Sequence, residues 1–319
     1  MKVFVTRQIP EVGIKMLQDK NYEVVISSKD GVLSREELLA GVKGADAILS
    51  LLTDNINEEV LTAAGPQLKV VANYAVGFNN LEAEAGKRHN VIMTNTPGVL
   101  TETVAEFTLA MIMAVTKRIV EGDKFTRAGK YQGWSPLLLL GSDLAGKTLG
   151  VVGLGQIGSL VAKKAKLGLG MKIVYHDIQP NQQFEQETGA GFLELDELLK
   201  VADVVSIHVP LLETTKHLIN AEKLALMKES AYLVNTSRGP VIDEAALVEA
   251  LRNKKIKGAA LDVFEDEPTL KPGLIELENA ILTPHIASAT EETRAKMSEI
   301  AAQNIVAVLE GQEAPNRIN

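Results

Sequence analysis

The chain of 319 residues contains no cysteine, which excludes disulfide bonds, thiolate metal sites and cysteine nucleophiles together. The absence fits a reducing compartment. The longest apolar run, residues 107–115, is interrupted by Thr108 and falls well short of the about 20 residues that a transmembrane helix needs. Residues 1–6 alternate like a strand and include no apolar signal core. We therefore expect a soluble, cytoplasmic protein.

The chain also has fewer basic than acidic residues, with 33 Lys and Arg against 41 Asp and Glu, so its formal net charge is −8. This balance disfavours a nucleic acid or a membrane surface as the main partner, and an anionic substrate would need a local cation. No pair of histidines has metal-ligand spacing, and no serine lies in a nucleophile-elbow pattern. The sequence therefore predicts no metal site and no serine-hydrolase chemistry.

Short apolar runs alternate with helical patterns along the chain, which is typical of α/β folds with parallel sheets. Five strand-like segments within about the first 95 residues predict a small doubly wound unit. A long helix is expected from Thr101 to about Val120, followed by irregular structure over residues 121–145. From Thr148 onward, six further strand-like segments are typical of a Rossmann unit.

A last helix, Thr290–Leu309, comes after all the predicted strands of the second unit, so no strand of that unit follows it. We expect this helix to cross back to the first domain. The predicted fold has two doubly wound parallel-sheet domains with a cleft between them, one flavodoxin-like and one Rossmann. The predicted substrate domain covers residues 1–98 and 288–319, and the predicted dinucleotide-binding domain covers residues 99–287.

The irregular segment contains the apolar run Leu137–Leu140, which would be costly to leave in water. The run either packs on its own domain or is buried against another subunit. We expect a homodimer formed through residues 100–145.

A glycine-rich motif, Gly153-Leu154-Gly155-Gln156-Ile157-Gly158, lies between a predicted strand and a predicted helix. The first glycine turns the chain, the second lets the backbone approach a pyrophosphate, and the third allows close packing of helix on strand. The phosphates would then face the free N–H groups of the helix N-terminus. Glycine triplets occur by chance, so the flanking strand and helix carry the prediction.

Asp177 ends the next predicted strand, 19 positions after Gly158. A carboxylate at this place accepts hydrogen bonds from the adenosine ribose and repels a 2′-phosphate. The alternative is a solvated aspartate at a strand end. The motif with Asp177 therefore predicts NAD(H) as the cofactor, and not NADP(H).

Four features in this order resemble the D-isomer-specific 2-hydroxyacid dehydrogenases over essentially the whole chain. They are the mid-chain glycine motif, Val234-Asn235-Thr236-Ser237-Arg238-Gly239, Leu261-Asp262-Val263-Phe264-Glu265-Asp266-Glu267-Pro268 and Thr283-Pro284-His285-Ile286. Within the family, residues 1–14 and 71–77 look most like glyoxylate/hydroxypyruvate reductases. Because the sequence stops at residue 319, we do not expect the regulatory domain that many phosphoglycerate dehydrogenases carry.

The resemblance implies NADH-dependent reduction of a small 2-keto acid, and the reaction indicates what each residue must do. A cation must fix the substrate carboxylate and polarise the carbonyl. Arg238 follows a buried strand at the carboxyl end, where open α/β sheets bind ligands, and a guanidinium grips a carboxylate with two hydrogen bonds. Without the resemblance, a surface salt bridge would be the alternative for Arg238.

A proton donor is also required, and histidine titrates near neutral pH. We predict His285 for this role, with Glu267 as the carboxylate that orients the imidazole and favours its charged form. His208 also ends a strand and is the main competitor. The resemblance places the segment of His208 along the adenosine side of the cofactor, so we interpret His208 as structural.

The resemblance implies further contacts around the cofactor and the substrate. Cofactor contacts are expected from the glycine motif and Asp177, together with Val209, Pro210, Thr236, Ser237, Arg238, Asp262 and His285. Substrate contacts are expected from Leu51, Leu52, Val76, Gly77, Arg238 and His285. Gln156 stands where many relatives have arginine, and Phe78-Asn79-Asn80 replaces a segment that usually carries an aspartate.

Three other functions remain open as alternatives. Some proteins of this architecture bind NAD as transcriptional co-regulators, but no partner motif or disordered arm is evident here. A phosphoglycerate dehydrogenase would need extra cations for its phosphate, and residues 50–56 offer none. An L-specific dehydrogenase is disfavoured because its glycine motif would lie near residue 10.

Overall fold

The computed structural model describes residues 1–319, which form two compact units. Unit 1 consists of Met1–Leu100 and Ala289–Asn319, and unit 2 consists of Thr101–Ser288. Unit 2 is therefore an insertion between the two segments of unit 1.

The chain contains twelve strands and twelve α-helices, which alternate except that α6 follows α5 and β12 follows β11. The strands are β1 (Lys2–Val5), β2 (Glu23–Ile26), β3 (Ala47–Leu51), β4 (Val70–Tyr74), β5 (Ile92–Thr94), β6 (Thr148–Val152), β7 (Lys172–His176), β8 (Gly191–Phe192), β9 (Val204–Ile207), β10 (Tyr232–Asn235), β11 (Gly258–Leu261) and β12 (Ala280–Leu282). The helices are α1 (Glu11–Asp19), α2 (Arg35–Gly41), α3 (Glu58–Ala64), α4 (Ala83–Arg88), α5 (Thr101–Thr116), α6 (Ile119–Arg127), α7 (Gln156–Leu169), α8 (Gln182–Thr188), α9 (Leu195–Val201), α10 (Ala221–Leu226), α11 (Glu244–Arg252) and α12 (Glu291–Leu309).

Unit 1 is built on a five-stranded parallel sheet in the order β2-β1-β3-β4-β5. This order is that of the flavodoxin-like doubly wound fold. Helix α12 packs on α1 and β4. The contact is close at Gly13, where a Cβ would lie 2.3 Å from the carbonyl oxygen of Ser298, so only glycine fits.

Unit 2 is built on a seven-stranded parallel sheet in the order β12-β11-β10-β9-β6-β7-β8. The order reverses between β6 and β9, which is the switch point where open α/β sheets bind their ligands. Apolar clusters cover the sheet, one with Leu199 and Val205 and another with Val161 and Tyr175. The prediction of two doubly wound parallel-sheet domains is confirmed.

Two local predictions are wrong. The helix expected to reach about Val120 ends at Thr116, and part of the segment expected to be irregular forms α6. Arg118 lies between the two helices in the left-handed region, with φ of 56°, and its guanidinium pairs with Glu121 at 2.6 Å. The two-residue strand β8 was not predicted, because two residues are too few for an alternating pattern.

None of the helices has both the length and the apolar character that crossing a bilayer requires.

Candidate active site

The glycine motif forms the turn between β6 and α7. Gly153 has φ of 95°, and a Cβ there would lie 2.8 Å from backbone atoms of His208 and Val209. A Cβ at Gly158 would lie 2.1 Å from the carbonyl oxygen of Gly153. Both positions therefore require glycine. A Cβ at Gly155 would meet no atom within 4 Å, so the middle of the turn faces open space.

Asp177 lies against this turn at the end of β7. Its Oδ2 accepts a hydrogen bond from the Leu154 N–H at 2.6 Å, and its Oδ1 accepts one from the Ile178 N–H at 2.7 Å. The carboxylate thereby links the strand end to the glycine motif. Gln156 is exposed at the first turn of α7, where its side chain accepts a hydrogen bond from Thr101 at 3.3 Å.

Arg238 lies in a turn that Asn235 organises from the end of β10. The Asn235 Oδ1 accepts hydrogen bonds from the N–H and the hydroxyl of Ser237, at 2.9 and 2.8 Å. The Asn235 Nδ2 donates to the carbonyl of Arg238 at 3.0 Å. Because Asn235 is fully buried, these bonds are shielded from water and fix the backbone from which Arg238 extends. Beside the turn, the hydroxyls of Thr236 and Thr108 lie 2.8 Å apart.

Glu267 and His285 form a hydrogen-bonded pair. The distance from His285 Nδ1 to Glu267 Oε2 is 2.9 Å, and the second carboxylate oxygen accepts from the Phe264 N–H at 3.0 Å. Both side chains are partly exposed, at 26% and 31%. The second ring nitrogen, Nε2, has no hydrogen bond within the chain and is the atom that can reach a ligand.

His285 has φ of 54°, a left-handed conformation that is unusual for histidine. Its N–H donates to the carbonyls of Asp262 and Thr283, at 2.9 and 3.0 Å. The fully buried carboxylate of Asp262 accepts from the N–H groups of Ile286 and Ala287, at 2.9 and 2.8 Å, and from the Thr283 hydroxyl at 2.7 Å. These bonds hold the strained turn that presents the imidazole.

The charged groups of this region influence one another. Burial lowers the pKa of Arg238, and the negative charge of Glu267 opposes this effect. Burial acts to raise the pKa of Glu267, but the hydrogen bond and charge of His285, the Phe264 N–H and the charge of Arg238 outweigh it and lower the pKa. Burial raises the pKa of Asp262 against the hydrogen bonds that it accepts. Glu267 is therefore a carboxylate at neutral pH.

His208 has a different environment. Burial lowers its pKa to about 4, and its Nε2 lies 2.8 Å from the hydroxyl of Ser206. A histidine that stays neutral through the physiological range is a poor proton donor. Together with the close approach of its backbone to Gly153, this supports the interpretation of His208 as structural.

The four predicted substrate residues of unit 1 lie on two loops that asparagine side chains join. Leu51 is the last residue of β3 and Leu52 follows it, whereas Val76 and Gly77 follow β4. Asn80 donates hydrogen bonds to the carbonyls of Leu51 and Asp54, at 3.1 and 2.9 Å. The loops are joined further by Asn73, which donates to the Gly77 carbonyl at 3.2 Å and to the Asn80 Oδ1 at 3.1 Å.

The sequence did not assign roles to Asn235, Asn73 or Asn80. The available signal was a polar residue within or directly after an apolar strand, as at Asn73 and Asn235. In unit 2, neighbouring strands bring the predicted residues together: Asn235 pairs in register with Leu261, and Leu261 with Leu282. Arg238, Glu267 and His285 therefore follow three adjacent strands at the same edge of one sheet.

Residues 109–287 match the family model of the D-isomer specific 2-hydroxyacid dehydrogenase, NAD binding domain, which covers more than half of the chain. The chain belongs to the D-isomer specific 2-hydroxyacid dehydrogenases. It is accordingly an oxidoreductase, and unit 2 contains the family's NAD-binding domain.

Proteins similar to this chain include glyoxylate reductases. That of Thermofilum pendens is 50% identical over 324 residues, covering 100% of this chain and 94% of that protein. Among solved structures, a protein from Thermus thermophilus has a TM-score of 0.94 at 45% identity, covering 100% of both chains. An NADPH-dependent glyoxylate/hydroxypyruvate reductase of Sinorhizobium meliloti, solved with NADP and malonate, has a TM-score of 0.86 at 28% identity, covering 99% of this chain and 96% of that one.

The residues of unit 2 fit a dinucleotide cofactor, NAD(H). The open space at Gly155 lies beside the N-terminus of α7, where free N–H groups favour a pyrophosphate. Asp177 presents a carboxylate at the end of the neighbouring strand β7. Val209 and Pro210 follow β9, the strand next to β6 at the switch point. The backbone of Val209 packs directly against Gly153.

Proposed function

We propose that the protein reduces glyoxylate to glycolate and hydroxypyruvate to D-glycerate with NADH. The observation that carries the proposal is the 2.9 Å hydrogen bond between His285 and Glu267, on the sheet edge that also carries Arg238. The names of the similar proteins point to the same substrates. The proposal includes the contacts expected from the resemblance for the remaining cofactor and substrate residues.

Arg238 would hold the substrate. NADH, when bound, would supply the hydride for the carbonyl carbon of the substrate. The guanidinium of Arg238 remains cationic at neutral pH despite its burial, because arginine does not lose its proton in proteins. It can donate two hydrogen bonds to the substrate carboxylate and draw electron density from the neighbouring carbonyl.

His285 would supply the proton. In the charged imidazole, Nδ1 donates to Glu267, and Nε2 is left to donate to the oxygen that becomes the hydroxyl. The carboxylate of Glu267 fixes the orientation of the ring and is the ion-pair partner of the imidazole when it is charged. In the oxidative direction the same nitrogen would take the proton back.

The size of the substrate would be limited by unit 1. We propose that Leu51, Leu52, Val76 and Gly77 contact the substrate, with the backbone N–H groups of the last two facing its carboxylate. In this proposal their branched apolar side chains would leave room only for a hydrogen or a short group, and none of the four residues offers a cation to a phosphate. A desolvated phosphate without a partner would be costly.

The test is a panel of 2-keto acids assayed for catalytic efficiency at saturating NADH. Glyoxylate and hydroxypyruvate should be the best substrates, pyruvate measurably slower and 3-phosphohydroxypyruvate poor. His285→Ala should lose about 10²- to 10⁴-fold in turnover with NADH binding near normal, and His89→Ala in unit 1 is the control. A tenfold or greater preference for phenylpyruvate or a branched-chain keto acid would move the protein to another subfamily.

Cofactor choice is a second prediction, motivated by the place of Asp177. NADH should be preferred over NADPH by about tenfold or more in catalytic efficiency, which corresponds to about 1.4 kcal/mol. Asp177→Ala should narrow the difference, because it removes both the ribose hydrogen bonds and the repulsion of the 2′-phosphate. Asp143→Ala removes an exposed carboxylate of the same unit and should leave the preference intact. Equal use of both cofactors by the unchanged protein would contradict the assignment.

We also propose that the protein is a cytoplasmic homodimer, formed through the apolar surface of residues 119–140. Large apolar side chains are exposed there in one stretch of chain. They are Ile119, Tyr131, Trp134, Leu137 and Leu140, of which Trp134 is 83% and Leu137 78% exposed. Exposed apolar side chains concentrated in this way mark an association surface.

A further inference from the structure

Glu244 carries a buried carboxylate that the proposed mechanism does not use. It is the first residue of α11 and is 3% exposed. Its Oε2 accepts from the N–H of Glu265 at 2.7 Å, and its Oε1 accepts from the N–H of Lys271 at 3.2 Å. Glu267 lies between these two N–H groups in the chain. One carboxylate therefore fastens both ends of the loop 265–271.

The attachment also runs in the opposite direction. The carboxylate of Glu265 accepts from the N–H of Glu244 at 3.3 Å. Five residues before Glu244, a Cβ at Gly239 would lie 1.9 Å from backbone atoms of Phe264, so the two backbones are in direct contact. The segment 238–244, which starts with Arg238, thus holds the loop of Glu267 at two separate points.

A third segment completes the cluster. The His217 N–H donates to the carbonyl of Pro240 at 2.8 Å, and its Nε2 lies 2.9 Å from the Glu265 carboxylate. The ammonium of Lys271 lies 3.7 Å from the same carboxylate and 2.6 Å from Asp266. The titratable groups around Glu244 are therefore Glu265, Lys271, His217 and Asp266.

We propose that Glu244 is a positioning residue, which sets the place of Glu267 relative to Arg238 and thereby aligns the imidazole of His285. The inference rests on the proposed function of these three residues. Hydrogen bonds to an ionised acceptor are about twice as strong as neutral ones, so a buried carboxylate suits this task. A misplacement of about 1 Å can cost about 10²-fold in rate even when the change is far from the chemistry.

The test compares Glu244→Ala and Glu244→Gln with the unchanged protein. In Glu244→Ala, kcat should fall about tenfold or more, with the KM for glyoxylate and the Kd for NADH (by fluorescence titration) changed less than about twofold. Hydrogen exchange of the amides in residues 264–271 should become faster. The upper limb of the pH profile should move toward acid, as it should in Glu267→Gln. Glu244→Gln keeps one accepting oxygen, so its kcat, amide exchange and pH profile should lie between those of the unchanged protein and those of Glu244→Ala.

The matched control is Glu249→Ala on the same helix, because Glu249 is exposed and pairs only with Arg252 and Asn253. In Glu249→Ala, the kcat, the hydrogen exchange of the amides in residues 264–271 and the pH profile should be the same as in the unchanged protein. The double variant Glu244→Ala/Glu267→Gln should lose less than the product of the single losses, since both act through one pair. An unchanged pH profile with unchanged exchange in Glu244→Gln and Glu244→Ala would overturn the proposal. A wild type that does not reduce keto acids would instead overturn the proposed function.

Discussion

Asn235 and Asp262 are polar side chains at the ends of apolar strands, and both act on backbone turns. Asn235 holds the turn of Arg238, and Asp262 holds the turn of His285. A buried polar group without partners would destabilise the fold, whereas a fully bonded one makes its surroundings rigid. Rigid turns keep the guanidinium and the imidazole in place before a ligand arrives.

A prediction at this scale concerns the charge of Glu267, whose lowered pKa makes it a carboxylate at neutral pH. Glu267→Gln keeps an accepting oxygen for His285 but removes the negative charge. The charged imidazole then loses its stabilising partner, so the pH above which reduction declines should move toward acid. The measurement is kcat/KM for glyoxylate from pH 5 to 9.

The control for that variant is Asp266→Asn, which removes one exposed carboxylate from the same loop. Its pH profile should match that of the unchanged protein. If the Glu267→Gln profile is also unchanged, Glu267 is not the partner of the proton donor.

The candidate residues could be named from the sequence because the resemblance pointed to one reaction, and that reaction indicated the residue types it needs. Arg238 was chosen as a cation that follows a predicted strand, His285 as a proton donor and Glu267 as its carboxylate partner. The bonds that hold them were not accessible, because the partners of Asp262 and Glu244 lie more than 20 residues away along the chain. Such pairings depend on how the strands are ordered in space, which local patterns do not contain.

At the scale of elements, the junction of β6 and α7 gives a second prediction. A Cβ at Gly158 would lie 2.1 Å from a backbone oxygen, so Gly158→Ala must push α7 away from the turn. Overpacking of this kind costs about 1–3 kcal/mol. NADH should bind about tenfold more weakly, since about 1.4 kcal/mol corresponds to tenfold in affinity. Fluorescence titration and thermal unfolding measure the two effects.

Gly168 provides the control on the same helix, because a Cβ there meets no atom within 4 Å. Gly168→Ala should stabilise the protein by about 0.4–1 kcal/mol and leave NADH binding unchanged. Equal NADH affinities for the two variants would show that the close approach of α7 does not matter for the cofactor.

The elements were predicted best where apolar periodicity is strong. All five strands of unit 1 and six of the seven strands of unit 2 were predicted, and the last helix agrees within one residue, whereas the break between α5 and α6 was missed. A helix break is normally signalled by glycine or proline, but here Arg118 adopts the left-handed conformation. Arg118 pairs with Glu121, three positions later. The sequence patterns that usually mark the end of a helix do not include such a pair, so the break was not predicted.

At the scale of the whole molecule, the exposed surface of residues 119–140 predicts the oligomeric state. Trp134→Asp combined with Leu137→Asp places two charges on this surface, and the protein should then sediment as a monomer. Leu167→Asp is the control, because Leu167 is 86% exposed on α7 outside the segment and should leave the dimer intact. Analytical ultracentrifugation separates the outcomes. A monomeric wild type would refute the dimer, and a dimeric double variant would place its interface elsewhere.

The insertion of unit 2 into unit 1 has a consequence for biosynthesis. Helix α12 covers α1 and β4, yet it leaves the ribosome only after all of residues 101–288. The folding of unit 1 therefore cannot be completed until the inserted unit has been synthesised, and one apolar face of the first hundred residues stays uncovered until then. The entropy lost in closing so long a loop is modest, because each doubling of loop length adds only about 0.6 kcal/mol. In nascent chains arrested before residue 289, the apolar surface of α1 and β4 that α12 later covers would be exposed to chaperones. Unit 2 could already be complete in such chains.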